Sequence, residues 1–168
     1  PLGDGLHRLF SPLGMNWTVA DDHVEIVPKE ALLCLGRAPT WTELGTLSDL
    51  STIQPASDEK AWTRLQPRFQ FQIPGLRGTW QELSLSIRSV GAGPGDEVLT
   101  IACNNLGWAW CLSGDKIIVS PIEQQIRLRL QQPISLRMNN RPLFEVMSTL
   151  GREINIAIRA EPGTLASL

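Results

Sequence analysis

The sequence predicts an α+β fold of consecutive small β-α-β-β modules, with mixed sheets and helices packed on one face. Three observations predict it. A sixteen-residue block recurs 93 positions downstream without a gap. Helical and strand periodicities alternate along the chain. Glycine and aspartate stand where one periodicity gives way to the next.

The repeated block sets the first two modules. Leu13–Pro28 falls on Leu106–Pro121, and Leu, Gly, Trp, Asp and Pro coincide. Ordinary composition gives about one such identity. Before each block, Leu6, Leu9, Phe10 and Leu13 share a helix face, as do Leu99, Ala102, Cys103 and Leu106. Gly14 and Gly107 follow, where glycine stops a helix by taking the left-handed conformation. Met15, Trp17 and Val19 then alternate as a half-buried strand, and so do Trp108, Trp110 and Leu112. Asp21-Asp22 and Gly114-Asp115 turn the chain. Val24 with Ile26, and Ile117 with Val119, form the inward face of a return strand that ends at Pro28 or Pro121.

A third copy is partial. Asn139-Asn140-Arg141-Pro142 starts a helix whose face is Leu143, Val146, Met147 and Leu150, closed by Gly151. Ile154, Ile156 and Ile158 alternate as a strand. Strands also precede the later helices: Leu83, Leu85 and Ile87 alternate with serines, and Ile134, Leu136 and Met138 with Ser135 and Arg137. A helix over Leu83–Val90 is the competing reading. Phe69–Ile73 and Ile126–Leu130 add one more alternating strand before each later copy.

Between the first two copies, Thr40-Trp41-Thr42-Glu43 has capping-box form, and Ser57-Asp58-Glu59 can open a helix through Trp62 and Leu65. The organisation is therefore 1–28 as the C-terminal part of a first module, 29–68 as a helical connection, 69–121 as a second module and 122–168 as a truncated third. The abrupt ends, Pro1-Leu2-Gly3-Asp4 and Ala166-Ser167-Leu168, read as those of a piece cut from a longer protein.

Ile134-Ser135-Leu136-Arg137-Met138-Asn139-Asn140-Arg141-Pro142-Leu143-Phe144-Glu145-Val146-Met147 resembles the short N-terminal domain of secretins and TonB-dependent receptors. Leu13–Pro28 and Leu106–Pro121 resemble that domain's second half. The resemblance covers roughly 1–28 and 80–168, and it lies in apolar positions and turns rather than in functional side chains. It implies a periplasmic or cell-envelope setting and protein–protein contact, either in stacked secretin domains or in a signal relay to an anti-sigma regulator. The long 29–68 connection departs from the family pattern, and no channel or β-barrel sequence is present.

Composition narrows the functions. A net charge of −2 offers no attraction to a polyanion. Gly75-Leu76-Arg77-Gly78 has the spacing of a KH-type loop, but alternating segments flank it, so it reads as a turn and no nucleic-acid partner is expected. No apolar run is long enough for a membrane span. Cys34, Cys103 and Cys111 lack metal-ligand spacing and only His7 and His23 could join them, so no metal or cofactor is expected. Asp21, Asp22 and Asp115 read as turn residues, and no convergent catalytic set appears; the expectation is a non-enzyme.

The candidate residues are partner-binding ones. Trp17 and Trp110 read as core. Trp41, Trp62 and Trp80 lie outside the repeat and read as surface anchors for a partner. Arg127, Arg129, Arg137 and Arg141 form a basic cluster, either a solubilising face or a docking patch for an acidic neighbour. Cys103 reads as a protected core thiol and Cys111 as an exposed one on the outer face of its strand, so a 103–111 disulfide is not expected. The leading expectation is a structural or interaction region of a bacterial envelope protein, working by domain, subunit or sheet-edge contacts with a protein partner or by self-assembly. The alternatives are a signal-relay module and a glycan- or peptidoglycan-binding module using exposed tryptophans.

Overall fold

In the computed structural model, which describes residues 2–20, 23–53, 59–73, 79–131, 139–153 and 158, Gly14 and Gly107 both stop a helix in the left-handed region, at φ 68° and 69°. The Gly14 amide donates to the Ser11 carbonyl at 3.0 Å, and the Gly107 amide to that of Asn104 at 3.0 Å. Helices α1 (Leu2–Phe10) and α5 (Gly95–Asn105) precede these glycines. Hairpins β1 (Met15–Ala20) with β2 (His23–Pro28), and β4 (Trp108–Ser113) with β5 (Lys116–Pro121), follow them. Trp17 faces Ile26 and Val19 faces Val24; at the shifted positions Trp110 faces Val119 and Leu112 faces Ile117. The hairpins even close alike: Lys29 N donates to Gly14 O at 2.8 Å and Ile122 N to Gly107 O at 3.2 Å. The duplication is thus structural, down to register.

The other elements are α2 (Trp41–Ser51), α3 (Glu59–Leu65), β3 (Phe69–Phe71), α4 (Thr79–Val90), α6 (Ile122–Leu130) and α7 (Leu143–Glu153). The fold is α+β, and the described residues form two small sheets, one the antiparallel pair β1-β2, the other in the order β3-β5-β4. There β3 runs parallel to β5 and β4 antiparallel, a mixed sheet. No helix among the described residues is long and apolar enough to cross a membrane.

Two strand expectations are overturned. Leu83–Ile87 is helical, within α4. Its alternation also contains a helical period, and burial selects the helix: Leu83 and Ile87 are buried while Leu85 is 63 % exposed. Ser86 is buried too, donating to the Ala102 carbonyl at 3.0 Å where α4 crosses α5. Ile126–Leu130 is helical as well, within α6. Gln125 and Arg129, one turn apart, turn inward while Leu128 and Leu130 face solvent, the reverse of a buried apolar strand face. Gly151 lies inside α7 instead of ending it. The strand expectations at 134–138 and 154–157, the Asp21-Asp22 turn and the 75–78 turn lie outside the described residues.

The core gathers around the second copy. Leu83, Ile87, Val98, Leu99, Ala102, Cys103, Trp108, Trp110, Leu112, Ile117 and Val119 are buried together with Leu47, Leu50 and Ile53 of the α2 segment and Trp62 and Leu65 of α3. Helices α2 and α3 fall within the 29–68 stretch, and both share this core. Its capping box forms: Thr40 Oγ1 accepts from Glu43 N at 3.3 Å, and the Glu43 carboxylate accepts from Thr40 N at 2.8 Å. A Cβ on Gly95 would run into the Leu50 carbonyl oxygen, so α2 and the start of α5 meet at backbone distance.

Candidate interaction surface

Pairing across the first hairpin puts Met15, Trp17, Val19, Val24, Ile26 and Pro28 on one sheet face. Helix α1 covers part of it: a Cβ on Gly3 would stand 3.3 Å from Trp17 Cζ2. The rest is open. Val19 is 69 % exposed, Val24 47 % and Ile26 50 %. This overturns the expectation that Val24 and Ile26 form a buried inward face. The same expectation holds for Ile117 and Val119, both fully buried. The difference lies in cover: α4 and β3 complete the second copy, whereas no strand among the described residues lies on the outer edge of β2.

The base of the first copy is anchored. A Cβ on Gly14 would collide with Leu32 and Leu44. Lys29 Nζ donates to Asp96 Oδ2 at 2.6 Å, to Ser11 Oγ at 3.1 Å and to Ser51 Oγ at 3.4 Å. This nearly buried ion pair joins the end of β2 to the start of α5. It borders a cavity of about 280 Å³ whose lining includes Asn16, Thr100, Ile101 and Trp110. Trp110 Nε1 donates to Thr100 Oγ1 at 2.9 Å, so its indole serves the core as expected. Asp96 Oδ1 is buried without a hydrogen-bond partner among the described residues.

A second brace supports the later hairpin. Arg37 clasps the buried Glu43 carboxylate through two bonds of 2.7 and 2.9 Å, and the Gly114 amide donates to Glu43 Oε1 at 3.1 Å. The Arg37 guanidinium, aided by the Thr40 and Gly114 amides, holds the Glu43 carboxyl down at about 2.

The predicted partner-binding residues scatter. Trp41 is 83 % exposed at the head of α2. Trp62 is 5 % exposed in the core, and Trp80 packs on Phe69 with ring centroids 5.0 Å apart. The surface expectation for Trp62 is therefore wrong, and the three rings make no shared platform. Arg127 is exposed, but Arg129, expected beside it on a solvent face, is buried. Residues two apart point about 200° apart on a helix, so α6 separates what a strand would align. Arg141 pairs with Glu145 at 3.3 Å, and Arg137 lies outside the described residues.

The three cysteines are thiols, joined by no disulfide to one another. Cys103 is buried, and burial pushes its thiol up to about 12. Cys111 is half-buried, where the short helical turn Glu30–Leu32, α2 and α6 pack against β4, so the outer face is partly covered instead of fully exposed. It shares a hydrogen bond with Cys34, which pushes Cys34 up, with burial adding to the rise. The same bond, with Arg129 nearby, lowers Cys111. Spacing gave no sign of this pair. No group of three or more metal-ligating residues occurs among the described residues.

Comparison with protein-family models, with curated proteins and with solved structures finds no match in any of the three.

Proposed function

We propose that this chain is a non-catalytic interaction region of a bacterial cell-envelope protein, with secretin-like N-terminal repeats that contact a neighbouring domain or subunit. One observation carries the contact: the sheet face of Val19, Val24 and Ile26 is open in the first copy, while its equivalent is buried in the second. Two strands with a half-covered apolar face are weak alone, and an open edge beside exposed apolar residues is a ready template for another strand. The envelope setting is supported by the resemblance of residues 134–147 to the secretin and receptor domain.

A photo-reactive side chain at Val24, in the protein as expressed in its host, tests the reading. Cross-links from Val24 to an identified envelope protein or to a second copy are expected. The same group at the exposed Leu85 of α4 is the control. Equal yields at the two positions, or a protein located in the cytoplasm, would overturn it.

A further inference from the structure

The two copies differ at one reactive position. Thr18 of β1 is exposed on the outer face of its hairpin, and the matching residue of β4 is Cys111. Cys111 lies opposite Ile118 of β5, in the strand against which the Glu30–Leu32 turn, α2 and α6 pack. Cys34 follows that turn, with its Sγ donating to the Ala31 carbonyl at 3.6 Å. The two cysteines are 77 positions apart in the chain, and the fold brings their thiols into hydrogen-bonding contact. Both are half-buried, so neighbours hold the contact while part of it stays open to a small reagent. Arg129 of α6 is buried close to both thiols.

This arrangement gives the thiols unequal roles. The shared hydrogen bond, with the Arg129 guanidinium, favours the thiolate of Cys111 against the effect of burial. The same bond and burial keep the proton on Cys34. The thiolate is the attacking form of cysteine, and a neighbouring thiol is what resolves a mixed disulfide. Cys103 supplies the contrast. It is fully buried in α5, and burial holds its thiol at about 12. Such a cysteine is an inert packing residue.

We propose that Cys111 and Cys34 are a reversible dithiol–disulfide pair, with Cys111 as the attacking thiol and Cys34 as the resolving one. The co-reactant is a disulfide, RS–SR. The Cys111 thiolate bonds to one of its sulfurs, the S–S bond breaks, and RS⁻ leaves and takes up the proton that Cys111 lost. Cys34 Sγ then bonds to Cys111 Sγ, the mixed disulfide breaks, and the second RS⁻ leaves with the Cys34 proton. The protein gives up two electrons and two protons, and the co-reactant becomes two thiols. The new bond ties the turn after the first hairpin to the sheet of the second copy. It closes a long loop in the unfolded chain, which favours the folded one. The inference is independent of the interaction reading, because neither the open hairpin face nor the compartment enters it.

Incubating the native full chain with oxidised glutathione, then quenching with acid, alkylating and mapping peptides, tests the pair. The expected product is lighter by two hydrogens and gives a fragment that links Cys34 to Cys111. Cys103 is alkylated only after unfolding. The urea midpoint rises on oxidation and returns with dithiothreitol. Cys34→Ser is expected to stop at a mixed disulfide of glutathione with Cys111. Cys111→Ser is expected to release glutathione about tenfold or more slowly. The mapping of wild type needs no variant. Cys34 and Cys111 both still reduced after prolonged incubation would overturn the proposal. So would a wild type that stops at a mixed disulfide, a fragment that links either residue to Cys103, or a linked form with a lower urea midpoint. Cys111→Ser reacting as fast as wild type would overturn the roles assigned to the two thiols. Each of these results leaves the interaction reading untouched.

Discussion

The two hairpins share helix stop and strand register, yet Val24 and Ile26 are half exposed where Ile117 and Val119 are fully buried. Local sequence sets the shape of such a hairpin. Burial is set by what arrives from elsewhere in the chain. In the second copy β3, α4 and the 29–53 segment arrive on both sides. In the first copy the described cover is α1, with Leu32 and Leu44 at the base. Repeated sequence therefore does not mean repeated stability, and the first copy is the less covered of the two.

The largest expected effect cuts the tie between the copies. Lys29 stands where the second copy has Ile122. Lys29→Ile makes the copies alike there but strands the buried Asp96 carboxylate, at a cost of about 3–5 kcal/mol in urea unfolding. Adding Asp96→Leu should recover much of it. A single-variant loss under about 1 kcal/mol would show that this pair does not join the copies.

Next come equivalent truncations. Ile117→Ala should cost about 2–5 kcal/mol, the range for emptying a packed site. Val24→Ala, at the matching position, should cost under about 1 kcal/mol in the dilute protein. Equal losses would erase the distinction between the hairpins.

The Glu43 brace belongs to the later hairpin and gives a pH signature. Its folded carboxyl sits at about 2, below the ordinary 4.5. The stabilisation is therefore present above pH 4.5 and is lost as pH falls towards 2, on the order of 1–3 kcal/mol. Glu43→Gln should flatten the unfolding midpoint across that window. An unchanged slope would mean the brace contributes nothing. The smallest effect is one of rate: thiol labelling of native protein should modify Cys111 before Cys103. The reverse order would contradict the burial of Cys103.

The repeat was legible because its signals are local: a leucine-glycine stop, three alternating residues, an aspartate turn. The α4 and α6 elements were not, because Leu83–Ile87 and Ile126–Leu130 satisfy a two-residue period over five residues, too short a run to exclude a helical one. Only tertiary contacts decide between them, with Ser86 on Ala102 and Arg129 turned inward. Trp62 was misplaced for the same reason, since nothing beside it in sequence shows that α3 enters the core. The Lys29–Asp96 pair and the Cys34–Cys111 contact join residues far apart in the chain, and no local pattern encodes them. The open hairpin was half legible: its face could be drawn, but its missing cover could not.

Residue-resolved amide exchange across β2 and β5 tests the central claim most directly. The account predicts slow exchange at residues 117–119 and fast exchange at residues 24–26 in dilute protein. Residues 24–26 protected as strongly as 117–119 in dilute protein would contradict it.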